Sequence, residues 1–334
     1  MENRITWVDN IKGLLLLFTC SSHFVKRPWI ISQILDLTPT YYVPLFIFMS
    51  GYLCKPRNEG LSVWGGQKML IYRRFRVLII PYFFFSLLGL ISGIASGEEA
   101  QSMLIQMLYY GSGCHAATPT YFFTLLFVTS LAFTWVTWNI KLRRILSLSL
   151  IICGLVFVWL LTKDLSLQLP WHLKNLPFYG AFFLSGYTIR TFEKEKLADY
   201  KRDALEEGII ALLLLILGFG GMFLSITGTV LSIICPVSLM AGVILLINVC
   251  SQAWRVLNIR MHFLHFMSIN GVAVLGAHVF IYGIILSLLR DISLEINEWI
   301  WFAFCFVVTY GLLYFVIVPF MNRYLYMVLG KVKE

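Results

Sequence analysis

The sequence predicts an all-α fold: a polytopic integral membrane bundle of about ten transmembrane helices, with both termini in the cytosol. Hydrophobic residues make up 59% of the 334 residues and charged residues only 13%, and the mean hydropathy is +0.81. Soluble domains carry roughly 45–50% apolar and about 25% charged residues. The apolar residues are gathered in runs long enough to cross a bilayer, and segments rich in lysine and arginine alternate with segments that are poor in them.

The apolar runs place the helices along the chain, because a span needs roughly 20 mostly apolar residues. They predict helices over residues 6–25, 38–54, 77–95, 119–138, 145–162, 175–191, 206–226, 228–250, 268–289 and 298–320. Residues 98–118 are only moderately apolar and are predicted to form a re-entrant or interfacial segment. Too few residues remain between the runs for a second core, so residues 1–334 are predicted to form a single transmembrane domain.

The distribution of positive charge tests this arrangement. With the N-terminus inside, 21 of the 26 lysines and arginines fall in cytosolic segments, and the others are Lys26, Arg27, Lys163, Lys174 and Arg290. This asymmetry follows the positive-inside rule and favours an even number of spans. The net charge of +9 therefore indicates membrane topology rather than a nucleic-acid partner, and membrane lipids are the expected surroundings.

The first predicted helix carries polar residues that are costly at membrane depth. At about 100° per residue they share one stripe about 80° wide, and they are Asp9, Lys12, Thr19 and His23. Asp9 and Lys12 are close enough to pair, and His23 lies about 16 Å from Lys12 along the axis. Because imidazole acts as a general base near neutral pH, His23, Lys12 and Asp9 are predicted as catalytic residues. Thr19, one turn before His23, is predicted to orient the imidazole and to contact substrate; a plain hydrogen bond to a neighbouring helix is the alternative for His23.

Four cations stand at the cytosolic end of the third predicted helix, and they are Lys68, Arg73, Arg74 and Arg76. Such a cluster is typical of anchoring to anionic lipid head groups. It is equally suited to binding phosphates, as a cytosolic donor such as a coenzyme A thioester would require. Both interpretations stay open at the level of sequence.

A short motif occurs twice in the chain. Residues 46–55 (FIFMSGYLCK) and 181–190 (AFFLSGYTIR) both place Ser-Gly-Tyr before a cation at the cytosolic end of a helix. Small residues allow helices to approach closely in lipid, so tight packing is one interpretation. The other is a place where a ligand approaches the helix, which makes Ser50 and Tyr52 candidate substrate-binding residues.

Two further histidines are candidate substrate-binding residues. His115 lies in an outer segment, where it would line an external pocket, and His278 lies in the middle of the ninth predicted helix. His262 and His265 are predicted as surface residues of a cytosolic loop. The seven cysteines show no CxxC or CxxH spacing, so neither a metal site nor a disulfide framework is predicted.

The residues of three helices resemble those of membrane acyltransferase family 3: WVDNIKGLLLLFTCSSHF in the first, PLFIFMSGYL in the second and YRRFRVLIIPYF in the third. That family includes sugar O-acetyltransferases such as fucose 4-O-acetylase-like proteins and the O-acetyltransferase of enterobacterial common antigen. Its signature, a basic residue and a histidine separated by ten residues, is matched by Lys12 and His23. Its later pattern is matched by Asn270 and His278, although glycine and leucine replace the family's serine and tyrosine between them.

The resemblance implies transfer of an acyl group, usually acetyl, from cytosolic acetyl-CoA to a hydroxyl of a cell-surface or lipid-linked saccharide. It also implies a bacterial inner membrane location and a glycolipid or saccharide as partner. His23 would act as the general base or carry the acyl group, and the cations would hold the donor. The alternative function is a secondary transporter or polysaccharide exporter whose polar stripe couples to protons. Against it, the sequence shows no paired broken helices in symmetric halves.

Overall fold

The computed structural model describes residues 6–36, 38–54, 62–139, 169–196, 209, 212–213, 261–289 and 296–332. Every regular element in these ranges is a helix, so the predicted all-α class is confirmed. The α-helices are α1 (Thr6–Ser21), α2 (Trp29–Asp36), α3 (Thr38–Tyr52), α4 (Val63–Arg74), α5 (Ile80–Ala95), α6 (Ala100–Ile105), α7 (Tyr121–Asn139), α8 (Leu176–Lys196), α9 (His262–Ile269), α10 (Gly271–Leu288), α11 (Glu298–Leu312) and α12 (Val318–Tyr324). Between them lie π-helical segments at Phe75–Ile79, Gln106–Tyr110 and Leu313–Ile317, and 3₁₀ turns at His115–Thr120 and Pro170–Asn175.

Four helical stretches of the described chain are long and apolar enough to cross a membrane, namely Trp64–Ala95, Ala100–Trp138, Gly271–Leu288 and Glu298–Tyr324. A shorter apolar helix covers Tyr42–Tyr52. The predicted spans at 145–162 and 228–250, and nearly all of 206–226, lie outside the described residues. The total of about ten helices and the cytosolic position of both termini stay predictions.

The third predicted span begins earlier than its hydropathy indicated. The helix is continuous from Val63 to Ala95, and Ser62 caps its start by accepting a hydrogen bond from the Gly65 amide at 3.0 Å. At 1.5 Å per residue, the 32 residues of Trp64–Ala95 are about 48 Å long, whereas the hydrocarbon core of a bilayer is about 30 Å thick. The helix is therefore longer than the core is thick, and its basic start is expected to be the part that extends beyond it.

Two of the π-helical segments lie at the same distance before a proline. Phe75–Ile79 and Leu313–Ile317 each end two residues before a proline, Pro81 in the first case and Pro319 in the second. Proline has no N–H to donate to a carbonyl one turn back, so the helix departs there from its regular hydrogen bonding. The first of these segments contains Arg76, one of the predicted donor-binding cations.

Helices α3 and α8 pack against each other at the two Ser-Gly-Tyr motifs. A Cβ atom on Gly51 would lie 1.9 Å from the Phe183 carbonyl oxygen, and one on Gly186 would lie 2.1 Å from the carbonyl oxygen of Phe48. The two contacts are therefore equivalent: each glycine meets the backbone of the opposite helix, at the residue three positions before the glycine of that helix. This reciprocal contact favours the tight-packing interpretation of the repeated motif.

Helix α1 is surrounded by other helices of the described bundle and contacts α3, α9 and α10. Near its start, the Trp7 ring packs edge-on against Tyr52 of α3, with centroids 5.2 Å apart. At its middle, a Cβ atom on Gly13 would lie 2.1 Å from the Leu264 carbonyl oxygen, so α9 rests directly on its backbone. The polar residues of α1 consequently face protein on several sides.

Large apolar side chains cover much of the outside of the bundle. Ile91 is 58% exposed, Leu288 76% and Phe315 76%, and the three lie on different helices. Exposing such surface to water costs about 25 cal/mol per Å², whereas lipid chains cover it without that cost. This surface is that of a protein whose solvent is a bilayer.

Candidate active site

Two histidines from distant parts of the chain meet just beyond the end of α1. The helix ends at Ser21, earlier than predicted, and His23 lies in the following turn, where its amide bonds to the Cys20 carbonyl at 3.3 Å. Its imidazole lies beside that of His278 on α10, with ring centroids 5.2 Å apart and ring planes at 47°. The structure therefore brings a predicted catalytic residue together with a predicted substrate-binding residue.

The buried member of this histidine pair has a defined tautomer. Nδ1 of His278 faces two carbonyl oxygens of its own helix, those of Leu275 at 2.9 Å and Val274 at 3.2 Å. Since carbonyl oxygens only accept, Nδ1 carries the proton and Nε2 carries a lone pair. Nε2 is buried and has no hydrogen-bond partner among the described residues. The lone pair is thus available to an N–H or O–H group that approaches it.

The other member of the pair is accessible. His23 is exposed, whereas His278 is completely buried. Within the described part of the chain, the imidazole of His23 makes no hydrogen bond. A substrate can therefore reach His23 directly, and His278 lies behind it.

Two tyrosines hold the turn that carries His23. The Val25 amide donates to the Tyr282 hydroxyl at 2.8 Å, which ties the turn to α10. The Tyr310 hydroxyl of α11 donates to the Leu17 carbonyl at 2.7 Å, near the end of α1. Sequence analysis missed both tyrosines, because nothing in their local sequence shows which part of the chain they contact.

The Thr19 hydroxyl makes no hydrogen bond to the His23 imidazole within the described residues, and its predicted orienting role stays a prediction. Its hydroxyl donates to the Leu15 carbonyl one turn earlier on α1, at 2.7 Å. A hydroxyl has a single proton to donate, so this bond within the helix occupies it. The prediction assumed a regular α-helix through His23, whereas the chain leaves the helix at Ser21.

Asp9 is held by α9 rather than by α1 alone. The Ser268 hydroxyl donates to Asp9 Oδ1 at 2.9 Å, and His265 Nδ1 lies 3.2 Å from Oδ2. All three residues are buried. The prediction that His265 is a surface residue was therefore wrong, because α9 packs onto the polar face of α1. Lys12 is half-buried on α1, and its pairing with Asp9 stays a prediction.

Replacing His265 by alanine is expected to lower the free energy of unfolding by about 1–3 kcal/mol, because the buried Asp9 carboxylate loses one of its polar contacts. Thermal unfolding of the purified protein in detergent measures the change. His262→Ala is the matched control, since His262 is exposed on the same helix and should shift stability by less than about 0.5 kcal/mol. Equal shifts in the two variants would contradict the assignment.

The four predicted donor-binding cations differ in exposure. Lys68 and Arg73 are exposed, whereas Arg74 and Arg76 are half-buried. Lys68 lies over the Trp64 ring at 5.6 Å. Nε of Arg76 is buried and makes no hydrogen bond within the described residues. The cluster thus follows one helix from its accessible surface into the bundle.

Arg190 joins this cationic region, although it was not predicted as a site residue. It donates to the Tyr52 carbonyl at 2.7 Å and lies over the Tyr52 ring at 5.4 Å, so the end of α3 lies beside the Arg190 turn of α8 and the two helices run parallel. Both Arg190 and Arg74 act electrostatically on Cys54, which follows α3. The sequence did contain a signal for Arg190, since a cation follows each of the two Ser-Gly-Tyr motifs.

The remaining predicted substrate-binding residues lie elsewhere. Tyr52 is buried and serves packing, between Trp7 and Arg190. The Ser50 hydroxyl is buried without a hydrogen-bond partner in the described ranges. His115 is exposed, has a left-handed backbone with φ of 47°, and its Nδ1 lies 2.8 Å from Glu98 Oε1. It is therefore a surface residue paired with a carboxylate, and the structure does not place it with His23 and His278.

Comparison with known proteins identifies one family. The model of the acyltransferase domain of acyltransferase family 3 matches residues 5–318, which is nearly the whole chain. No curated protein and no solved structure matches. The matched region contains the histidine pair, the Asp9 cluster on α9 and all four predicted donor-binding cations.

Proposed function

Since the chain belongs to acyltransferase family 3, a family of membrane acyltransferases, we propose that it moves an acetyl or other short acyl group from cytosolic acyl-CoA to a saccharide hydroxyl. Acetyl-CoA is the proposed donor, and a cell-surface or lipid-linked glycan is the proposed acceptor. The observation that carries the proposal is the exposed His23 imidazole beside the unsatisfied Nε2 of His278. The family match favours acyl transfer over the transporter.

The histidine pair supplies the base that acyl transfer needs. The two rings lie 5.2 Å apart at their centroids and Nε2 of His278 has no partner among the described residues, so the proposal is that His23 turns its N–H to this nitrogen when the acceptor binds. That bond would leave the other nitrogen of His23 unprotonated and directed to the acceptor hydroxyl. His278 is thus proposed as the residue that orients the base, as the third member of a catalytic triad does.

The reaction forms an ester carbon–oxygen bond and breaks the thioester carbon–sulfur bond. His23 takes the proton of the acceptor hydroxyl, the oxygen attacks the thioester carbonyl carbon, and the carbon–sulfur bond breaks. The imidazolium then returns the proton to the coenzyme A thiolate, so the products are an ester and a thiol. In the other route, His23 carries the acyl group first. Single turnover without acceptor distinguishes them, because only the covalent route releases one thiol per enzyme before acceptor is added.

The cationic helix is proposed to bind the donor. Arg73, Arg74 and Arg76, with Lys68, present positive charge along the part of the helix that is expected to extend beyond the hydrocarbon core. Arginine side chains bind phosphate oxygens through charge-assisted hydrogen bonds, and coenzyme A carries such groups. Under the predicted topology this end faces the cytosol, where acyl-CoA is found. The proposed location is the bacterial inner membrane, with both termini cytosolic.

The double substitution Arg73→Ala and Arg76→Ala is expected to raise the dissociation constant for acetyl-CoA by about 10²–10⁴-fold, since each of the two charge-assisted bonds is worth about 1.5–3 kcal/mol. Binding of radiolabelled acetyl-CoA to protein in nanodiscs measures it. Arg323→Ala is the control, because Arg323 is an exposed cation on α12 that lies over Tyr324. If the double variant binds like Arg323→Ala, the cluster anchors lipid and does not hold the donor.

The proposed function itself is tested with the wild-type protein. Purified protein in nanodiscs is incubated with radiolabelled acetyl-CoA and a lipid-linked glycan, and the label in the glycan is measured after separation. Transfer that depends on protein concentration supports the proposal. Well-folded protein that neither binds acetyl-CoA nor releases its thiol in the presence of acceptor would overturn it.

A further inference from the structure

Two arginines from different helices lie beside one cysteine near the end of α3. Cys54 follows that end by two residues, and its Sγ is 3.8 Å from Thr134 Oγ1 and 3.9 Å from Thr137 Oγ1 of α7. Arg74, the last residue of α4, and Arg190 of α8 both act electrostatically on this thiol, so both guanidiniums lie near it. Four parts of the chain thus contribute to one site, which the predicted topology directs towards the cytosol.

No negative charge of the described side chains neutralises these two arginines. Arg74 and Arg190 are both half-buried, and neither pairs with a carboxylate among the described side chains. Arg190 donates to the Tyr52 carbonyl, which is a neutral group, at 2.7 Å. The electrostatic neighbours of Arg74 are the Cys54 thiol and a further cation, Arg73. Like charges repel and half-buried charges are normally paired, so this arrangement suits an anionic ligand.

The site is enclosed by helices on the side of Cys54. Thr134 and Thr137 are each 3% exposed, and Cys54 is half-buried. Lys68 and Arg73, on the same cationic helix as Arg74, are exposed instead. A lipid head group at the bilayer surface would meet those exposed cations first. The charge beside Cys54 is therefore placed for a ligand that enters between the helices.

A phosphate group fits this site by charge and by shape. The planar guanidinium donates two parallel hydrogen bonds to the oxygens of one phosphate, and its charge strengthens both. Two guanidiniums together match the charge of about −1.5 to −2 that a phosphate monoester carries at neutral pH. The proposed acyl-CoA donor carries phosphate groups, whereas its acyl and pantetheine parts are uncharged.

We propose that Arg74 and Arg190 bind one phosphate group of the donor beside Cys54, so that the donor site extends from the cationic helix to α8. The inference rests on the proposed function. It also gives a role to the second Ser-Gly-Tyr motif. The close packing of Gly51 and Gly186 brings α8 against α3, and the cation that follows the motif, Arg190, is thereby held at the end of α3.

The first test replaces Arg190 by alanine. Loss of one charge-assisted contact to phosphate should raise the dissociation constant and the KM for acetyl-CoA by about 10–100-fold. The kcat at saturating donor should stay within about twofold of the wild-type value, because the contact is made equally in the ground state and the transition state. Arg323→Ala is the matched control, since Arg323 is an exposed cation on α12, and it should leave both constants unchanged.

The second test uses Cys54 as a reporter and needs no substitution, so it also covers the case in which Arg190→Ala folds poorly. The rate at which iodoacetamide alkylates Cys54 is measured by mass spectrometry for wild-type protein in nanodiscs of phosphatidylcholine. Acetyl-CoA at about ten times its dissociation constant should slow this alkylation about tenfold, because only the unliganded protein then reacts. A parallel sample in nanodiscs that contain anionic phosphatidylglycerol shows whether lipid occupies the site.

The outcomes separate this inference from the proposed function. A wild type that binds acetyl-CoA but alkylates at an unchanged rate would overturn the phosphate site, as would a folded Arg190→Ala with the wild-type dissociation constant. Slower alkylation caused by phosphatidylglycerol, without a further effect of acetyl-CoA, would show that the site binds lipid and would also overturn it. Failure of the wild type to bind acetyl-CoA at all would instead overturn the proposed function.

Discussion

Replacement of His23 by alanine is expected to lower acyl transfer by about 10²–10⁴-fold, the contribution of a positioned general base. The imidazole is exposed and makes no hydrogen bond within the described residues, so its removal should leave membrane insertion and thermal unfolding unchanged. Transfer of radiolabelled acetyl groups to glycan by protein in nanodiscs measures the loss. The dissociation constant for acetyl-CoA should remain at its wild-type value, because the proposed binding site of the donor phosphates is the cationic helix and not His23.

His262→Ala is the matched control for this experiment. It makes the same substitution at an exposed histidine of α9 and should retain wild-type transfer. Near-normal transfer by folded His23→Ala would show that this histidine is not the base. A loss of transfer accompanied by an equal loss of stability would also contradict the assignment.

Replacement of Gly51 by alanine is expected to reduce the stability of the bundle by about 3 kcal/mol or more. The new Cβ atom would lie 1.9 Å from the Phe183 carbonyl oxygen, a backbone atom of α8 that cannot rotate away. The parallel helices α3 and α8 must then separate, and the contact of Gly186 with the Phe48 carbonyl is lost with them. Thermal unfolding in detergent and the yield of monodisperse protein measure the effect.

Gly283→Ala provides the control for the Gly51 substitution. Gly283 lies within α10, is exposed, and would have no heavy atom within 4 Å of an added Cβ. Alanine should be neutral there or stabilising by about 0.5–1 kcal/mol, since glycine weakens a helix interior. Similar unfolding temperatures for Gly51→Ala and Gly283→Ala would show that the two motifs do not pack as described.

Much of the fold follows from the sequence because hydropathy and helix length are local properties. Apolar runs predicted α1, α3, α7 and α10 with errors mainly at their ends, whereas α2, α4 and most of α9 lie outside the predicted spans. The end of α1 was placed too late, since hydropathy continues past Ser21 while the backbone turns. The repeated Ser-Gly-Tyr motif predicted close helix packing, because small residues have that effect wherever two helices meet.

The candidate site could be predicted only in part. The spacing of Lys12 and His23 identified a catalytic candidate from sequence alone, and His278 was identified as a separate candidate. Their contact, the tautomer of His278 and the roles of Tyr282 and Tyr310 required tertiary structure.

The sequence by itself determined that the chain is helical and suited to a bilayer, and it singled out one histidine at the end of a polar stripe. Only the tertiary structure decided what surrounds that histidine, and it reassigned His265 from a loop surface to a buried contact with Asp9. The physical reason is that some properties depend on residues close together in sequence and others on residues far apart in it. Burial in lipid is summed over neighbouring residues of one segment, whereas a hydrogen bond, or the close packing of Gly51 on α8, depends on where a second, distant segment lies.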